Sequence, residues 1–183
     1  MAAGAVARCE QPRIRLSRSG VVSCAWCHQP ERAWTDGRAT AQALAAGDRN
    51  TQTLLNLSQQ RWFGWGGSSD SLWMASLRAI VDAREMAGSH AHVAREVRRR
   101  ADLACEYRQV FGRAPPDDDD LLAVDIAKAL AAFQQTLTSG RTPFDDFRDA
   151  LARDDRAAMA RYPAAAQRGL RLFIGRGNCA LCH

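Results

Sequence analysis

Two short segments of the chain combine residue types that can do chemistry together: Cys24-Ala-Trp-Cys27-His28 and Cys179-Ala-Leu-Cys182-His183. Each sets two thiols three positions apart, with an imidazole directly after the second. At that spacing one turn of backbone can offer both thiols to the vinyl groups of a haem while the histidine reaches the iron. Covalent attachment also keeps the cofactor bound through changes of redox state. Other uses of these residues fit less well. A structural zinc ion takes four ligands and each motif supplies three, so the metal is left one short or the motifs must meet across the long segment between them. A dithiol redox pair needs a strand ahead of it and gives no reason for the histidine or for a second copy. The expected cofactors are therefore two covalently bound haem c groups. Of the other cysteines, Cys9 has no partner by this logic, and Cys105, inside a helical pattern, is expected to be a small buried residue.

The elements that must carry these motifs read as helices. Ser68-Ser69-Asp70-Ser71 supplies N-cap candidates for a helix of about ten residues ending near Asp82, with Leu72, Trp73, Leu77, Ile80 and Val81 at helical spacing. One longer helix is expected from about His92 to Val110, with Val93, Val97, Ala104, Tyr107 and Phe111 on its apolar face, and Gly112 and Pro115-Pro116 stopping it. The Asp117 to Asp120 run could be a binding patch. It directly precedes the amphipathic series Leu121, Leu122, Ile126, Leu130, Phe133 and Leu137, where carboxylates complement the start of a helix dipole. That helix is expected to stop at Gly140. Pro143-Phe144-Asp145 reads as a turn into a shorter helix, and 163–174 as a helix followed by a glycine loop and the second motif. Residues 38–60 look irregular, Trp34-Thr35-Asp36-Gly37 is a turn, and the glycines of Phe63-Gly64-Trp65-Gly66-Gly67 allow tight bends beside two large aromatics. No strand pattern competes, so the fold class is all-α.

Length and composition are those of a folded globular protein: 183 residues, 46% of them hydrophobic. The formal charge of +5 does not demand a polyanionic partner, because 25 basic residues are interleaved with 20 acidic ones. Haem propionates would offset the excess and give arginines carboxylate partners. No nucleic-acid partner is expected. No run approaches the ~20 apolar residues of a membrane span. Residues 1–20 carry Arg8, Glu10, Pro12, Arg13, Arg15 and Arg18, which interrupt the apolar core a secretory signal requires. Haem attachment of this kind takes place outside the bacterial inner membrane, so a periplasmic location is expected, with 1–20 an irregular leader and not the native start.

With the motifs placed, about residues 20–183 resemble the di-haem cytochrome c peroxidase and MauG family. The likeness rests on Leu16-Ser17-Arg18-Ser19-Gly20, Ala33-Trp34-Thr35-Asp36-Gly37, Arg49-Asn50-Thr51-Gln52-Thr53-Leu54-Leu55-Asn56, Phe63-Gly64-Trp65, Arg84-Glu85-Met86, Ile126-Ala127-Lys128-Ala129-Leu130, and Ser139-Gly140 with Pro143-Phe144-Asp145, all in the family's order. The resemblance implies a cytochrome c-like architecture of two haem domains, the second cut off here at its haem motif. Residues 21–140 would form the amino-terminal, peroxide-reacting domain. Residues 141–183 would be the linker, first helix and haem motif of the carboxy-terminal domain, whose haem relays electrons to the first.

The same resemblance implies site roles. His28 and His183 would be the proximal iron ligands, and Glu85 the distal acid-base group that takes a proton from peroxide and returns it to the departing oxygen. Trp65 would lie between the haems, suited to electron transfer or transient radical character. Asn50 would be the side-chain ligand of a calcium ion between the haems. The remaining histidines, His90 and His92, read as surface residues at a helix start. Ala75 stands where peroxidases commonly have glutamine, Ala79 where proline is common, and Gly66-Gly67-Ser68 where Asp-Gly-Arg is more usual, while Phe63-Gly64-Trp65-Gly66-Gly67 with Ser71-Leu72-Trp73 looks closer to MauG-like relatives. The implied activity is reduction of hydrogen peroxide with electrons from a small donor protein, a cytochrome c or cupredoxin. A MauG-like version oxidises a partner protein at the expense of peroxide, and a homodimer is one assembly open to it. The alternative from another class is an electron-carrier cytochrome without catalysis of its own, which would show no peroxide turnover.

Overall fold

The computed structural model of the protein describes residues 16–182 and divides them into two compact units, the first ending at Thr138 and the second beginning at Ser139. Cys9, most of the 1–20 leader and His183 lie outside the described residues. Among the described residues the regular structure is helical, and extended pairing is confined to the isolated bridges Gln29 to Thr35, Gln42 to Ala46 and Phe63 to Ser69.

The first unit opens with a single helical turn, α1 (Cys24–Cys27), and a 3-10 turn at Pro30–Arg32. A long irregular stretch follows, containing one more 3-10 turn at Leu57–Gln59. Four helices then build the core: α2 (Leu72–Val81), α3 (His90–Arg99), α4 (Ala101–Phe111) and α5 (Asp119–Gln134). α5 is central because its sequence offers two different faces. Ala123, Ala127 and Ala131 recur every four residues and form a low ridge; they are buried, and Leu77, Trp73, Leu57, Phe63 and Leu72 come close against them. On the adjoining face Leu122, Ile126 and Leu130 meet Val93, Ile80, Ala94 and Val97. Burying Val93 completely, as here, stabilises the fold by roughly 1.5–3 kcal/mol.

The Asp117–Asp120 run behaves as a helix start. The Asp118 carboxylate accepts from the Leu121 N–H, while Asp119 pairs with Arg98 at 2.7 Å. The single helix expected from His92 to Val110 is two, because Arg100 is extended (φ −96°, ψ 114°) and ends α3 while starting α4. The physical reason lies in the apolar phase. Val93, Ala94 and Val97 are buried on α3, whereas α4 buries Leu103 and Tyr107 rather than Ala104. The step from Val97 to Leu103 is one residue short of two helical turns, and the break absorbs that slip. Cys105, expected to be buried, faces solvent for the same reason. α5 stops at Gln134, six residues before the expected Gly140. The chain turns there, and the Asn56 N–H bonds to the Leu137 carbonyl at 2.8 Å, tying this end to the irregular stretch.

One buried polar group anchors α4 to α5. Asp125, 6% exposed, accepts from the Tyr107 hydroxyl and from Arg113, whose guanidinium also lies over the Tyr107 ring. Burial and the bond to Asp125 push the Tyr107 phenol up to about 12. Asp125→Ala leaves that hydroxyl buried without its acceptor. Because Arg113 reaches solvent, the cost should be about 2–3 kcal/mol, read as a lower urea midpoint, with the exposed Asp102→Ala as a near-neutral control.

In the second unit, Thr142 forms a capping box with Asp145 at the start of α6 (Pro143–Ala152). Two further helices follow, α7 (Arg156–Ala160) and α8 (Ala164–Ile174). Phe147, Ala150 and Ala158 are its buried residues, and Tyr162 stacks on Phe147 with centroids 4.7 Å apart. A 3-10 turn at Cys179–Leu181 carries the second motif.

Candidate haem and peroxide site

The first unit holds a cavity of about 710 Å³, within the range of small-molecule and cofactor pockets. Its wall brings together Cys24, Cys27, His28, Asn50, Thr51, Trp65 and Glu85, residues up to 61 positions apart in the chain (24 to 85). The motif sits there as one helical turn closed by the His28 N–H bonding to the Cys24 carbonyl at 2.9 Å. Ala33 and Trp34 follow in the left-handed region (φ 54° and 61°), which folds the chain back so that the Trp34 carbonyl oxygen lies 3.0 Å from His28 Nδ1. With the proton on Nδ1, that bond directs the Nε2 lone pair to the metal, the usual second contact of a ligating histidine. Burial lowers the His28 pKa, while the Trp34 and Gln52 carbonyls and Asp36 act in the opposite direction. The neutral, ligating form is favoured.

Glu85 reaches the cavity from the loop after α2. The Glu85 N–H bonds to the Asp82 carbonyl at 3.1 Å, the Ala87 N–H to the same carbonyl at 2.8 Å, and the Arg18 N–H to the Met86 carbonyl at 2.9 Å. Gly88 is required where this loop closes: a Cβ there would sit 2.9 Å from both the Ile80 and Leu16 carbonyl oxygens. Glu85 is exposed to the open cavity that it lines, yet the protein packed around it makes desolvation the largest influence on its carboxyl. Its pKa is raised by that burial and by Asp82, with Arg84 and Arg78 pulling it back. Burial raises the Cys27 thiol, helped by Asp36 and Glu85, so the carboxylate and the motif share one electrostatic environment.

Trp65 is 57% exposed and donates its indole N–H to the Asn50 backbone carbonyl at 2.9 Å. These two expected site residues therefore meet directly. Among the described residues no cluster of three or more His, Cys, Asp or Glu side chains could hold a metal ion, so for calcium the described residues offer Asn50 without a carboxylate cluster beside it. His90 sits at the start of α3, paired with Asp120 at 2.7 Å, and neither His90 nor His92 lines the cavity. In the second unit Cys179 and Cys182 are exposed on their own short turn.

The residues present fit a covalently held haem. The donor set is two thiols and one neutral imidazole on a single wall. The cavity is lined by Leu57, Phe63, Leu72, Ile80 and Phe133, a surface suited to an apolar macrocycle. The buried Thr51 hydroxyl lines it too and acts on the Cys27 thiol, the side chain that would be attached to the haem. The sequence marked Thr51 only as part of a matching segment, and it passed over Arg78, an arginine in the apolar series of α2 that also lines the cavity.

A helical unit with Cys-x-x-Cys-His on the wall of a cofactor-sized cavity is the organisation of a c-type cytochrome domain. The family model described as di-haem cytochrome c peroxidase matches residues 13–153, and the chain belongs to that family. It is 39% identical over 171 residues to the methylamine utilization protein MauG of Methylorubrum extorquens, covering 92% of this chain and 45% of that one. It is 31% identical to the cytochrome-c peroxidase IdrP2 of Pseudomonas sp. strain SCT, covering 92% of this chain and 44% of that one. A crystal structure of a MauG-like protein associated with microbial copper homeostasis superposes with a TM-score of 0.71 at 26% identity, over 90% of this chain and 47% of that one. The chain thus spans about half the length of the curated relatives it matches.

Proposed function

We propose that this chain forms the peroxide-reacting part of a periplasmic di-haem oxidoreductase that reduces hydrogen peroxide. Residues 21–140 supply the peroxide-reacting haem domain, and 141–183 begin the domain of the electron-relaying haem. The observation that carries this reading is that Glu85 lines the same cavity as Cys24, Cys27 and His28. Haem iron, when bound, supplies the electron transfer to peroxide. Cys24 and Cys27 would hold the macrocycle and His28 would ligate its iron, while Cys179, Cys182 and His183 would do the same for the second haem. Glu85 works as the acid-base group: its carboxylate accepts a proton from one peroxide oxygen and delivers it to the other as the O–O bond breaks. Its raised pKa suits both halves of that exchange. Trp65, bonded to the Asn50 carbonyl, is the residue we assign to carrying electrons to the site, and Asn50 the one we assign to an inter-haem calcium ion.

The electrons come from a small donor protein, a cytochrome c or cupredoxin. The identities to MauG proteins, 39%, 34% and 31%, overlap those to cytochrome-c peroxidases, 32%, 31% and 29%, so oxidation of a partner protein at the expense of peroxide stands as the second reading. The test mixes haem-loaded protein with hydrogen peroxide and a reduced donor cytochrome. Consumption of two donor electrons per peroxide, with two waters formed, is the expected result. Electron exchange with the donor but no loss of peroxide would instead establish an electron carrier.

A further inference from the structure

We infer that Arg78 is the fixed positive charge of the peroxide pocket, able to stabilise negative charge on a small oxygen anion bound in the cavity that His28 also lines. α2 turns Ala75, Ser76, Arg78 and Ala79 toward the cavity. The two alanines offer only methyl groups. The Ser76 hydroxyl is fully engaged, donating to the Leu72 carbonyl at 2.9 Å and accepting from Gln134 at 2.9 Å. Arg78 is left as the polar group this part of the helix can present to a ligand. Its Nη1 donates to the hydroxyls of Ser68 and Ser69, both on the cavity wall, and this fixes the guanidinium. Arg78 is exposed to the open cavity and makes no ion pair with a carboxylate among the described residues, so Nε and Nη2 keep donors for a ligand that enters and displaces water there. Glu85 lines the same cavity and feels the charge of Arg78.

This inference rests on the proposed peroxide reaction and divides its work. Glu85 moves the proton. Arg78 moves neither proton nor electron; peroxide still takes up two electrons and two protons to give two waters. What the guanidinium does is hold the charge that gathers on the departing oxygen before the proton arrives, an electrostatic effect that is strong when the donor is already oriented. The competing view is that Arg78 only clamps the glycine loop carrying Trp65 onto α2.

Two measurements on the ferric haem-loaded protein separate these. The first is the affinity for fluoride, read optically, which needs no turnover. Arg78→Gln should weaken fluoride binding by about tenfold or more, whereas Arg78→Lys, which keeps the charge and disturbs the serine clamp, should bind within a few-fold of the parent. The second is peroxide turnover, where Arg78→Gln should lose about ten- to a hundredfold in kcat/KM and Arg78→Lys should recover most of it. Equal losses in both variants, unchanged fluoride affinity in Arg78→Gln, or a parent protein that binds no fluoride would overturn the inference. A parent that binds fluoride through Arg78 but turns over no peroxide would overturn the peroxidase reading while leaving the positive pocket intact. Loss of turnover in Glu85→Gln with none in Arg78→Gln would remove Arg78 alone.

Discussion

Glu85→Gln in the haem-loaded protein should lower peroxide turnover by about a hundred- to ten-thousandfold, the range that a positioned acid-base group contributes. The substitution keeps the size and hydrogen-bonding shape of the side chain but cannot accept the peroxide proton. The loss should therefore fall on kcat and kcat/KM together, with the optical spectrum of the haem and the urea midpoint unchanged. The pH dependence has a defined sign. Glu85 must be ionised to accept the proton, and its pKa is raised by burial first and by Asp82 second, against Arg84 and Arg78. Activity should fall as pH drops through that raised value, on an acid limb above the ordinary glutamate range of about 4.3. Asp82→Asn removes a like charge and should move the limb to lower pH. Glu85→Gln should abolish the limb. A variant that kept the parent's rate and acid limb would refute the assignment of Glu85.

Replacing Cys24 and Cys27 together by alanine should remove covalent haem from the first motif completely. Among the described residues no other thiol lines the cavity: Met86 is a thioether that cannot add to a vinyl group, and Cys105 lies outside the lining. A denaturing gel stained for haem, with intact mass, should show one attached haem fewer than the parent. Catalysis should vanish with it, since the acid-base group would then face an empty wall. His28→Ala provides the contrast, keeping both thioether bonds and the haem stain while losing the proximal ligand, so its optical spectrum changes and its mass shifts only by the substitution. If the double-cysteine variant retained full haem stoichiometry, the attachment chemistry assigned to the first motif would be wrong.

The local chemistry of both motifs was legible in residue order because it depends on neighbours in sequence. Two thiols and an imidazole within five residues define an attachment turn wherever the chain places them. The start of α5 was legible for a similar reason, since Asp118 caps a backbone N–H three residues away. Errors came where a distant contact overrode local pattern. A continuous helical period predicted one helix across Arg100, but Val97 and Leu103 both pack toward the cluster that includes Leu122, and satisfying both required a break. Gly140 is a good helix stop by type. α5 nonetheless ends at Gln134, and beyond it the Leu137 carbonyl accepts from Asn56, some eighty positions earlier in the chain.

What residue order alone determined about this protein is thus its helical class and, through matching segments, its family; the haem-attachment roles of the two motifs are what we propose from that order. Tertiary structure decided which groups share a site. The alanine ridge of α5 lets α2 approach closely, the Asp82 carbonyl and Gly88 close the loop that delivers Glu85, and the left-handed pair Ala33-Trp34 turns a carbonyl onto His28. Arg78 shows the difference most clearly. In sequence it is one arginine among many. In the fold it is a fixed cation on the wall of the cavity, because its distance from Glu85 and Cys27 is set by helix contacts that no short window of sequence contains.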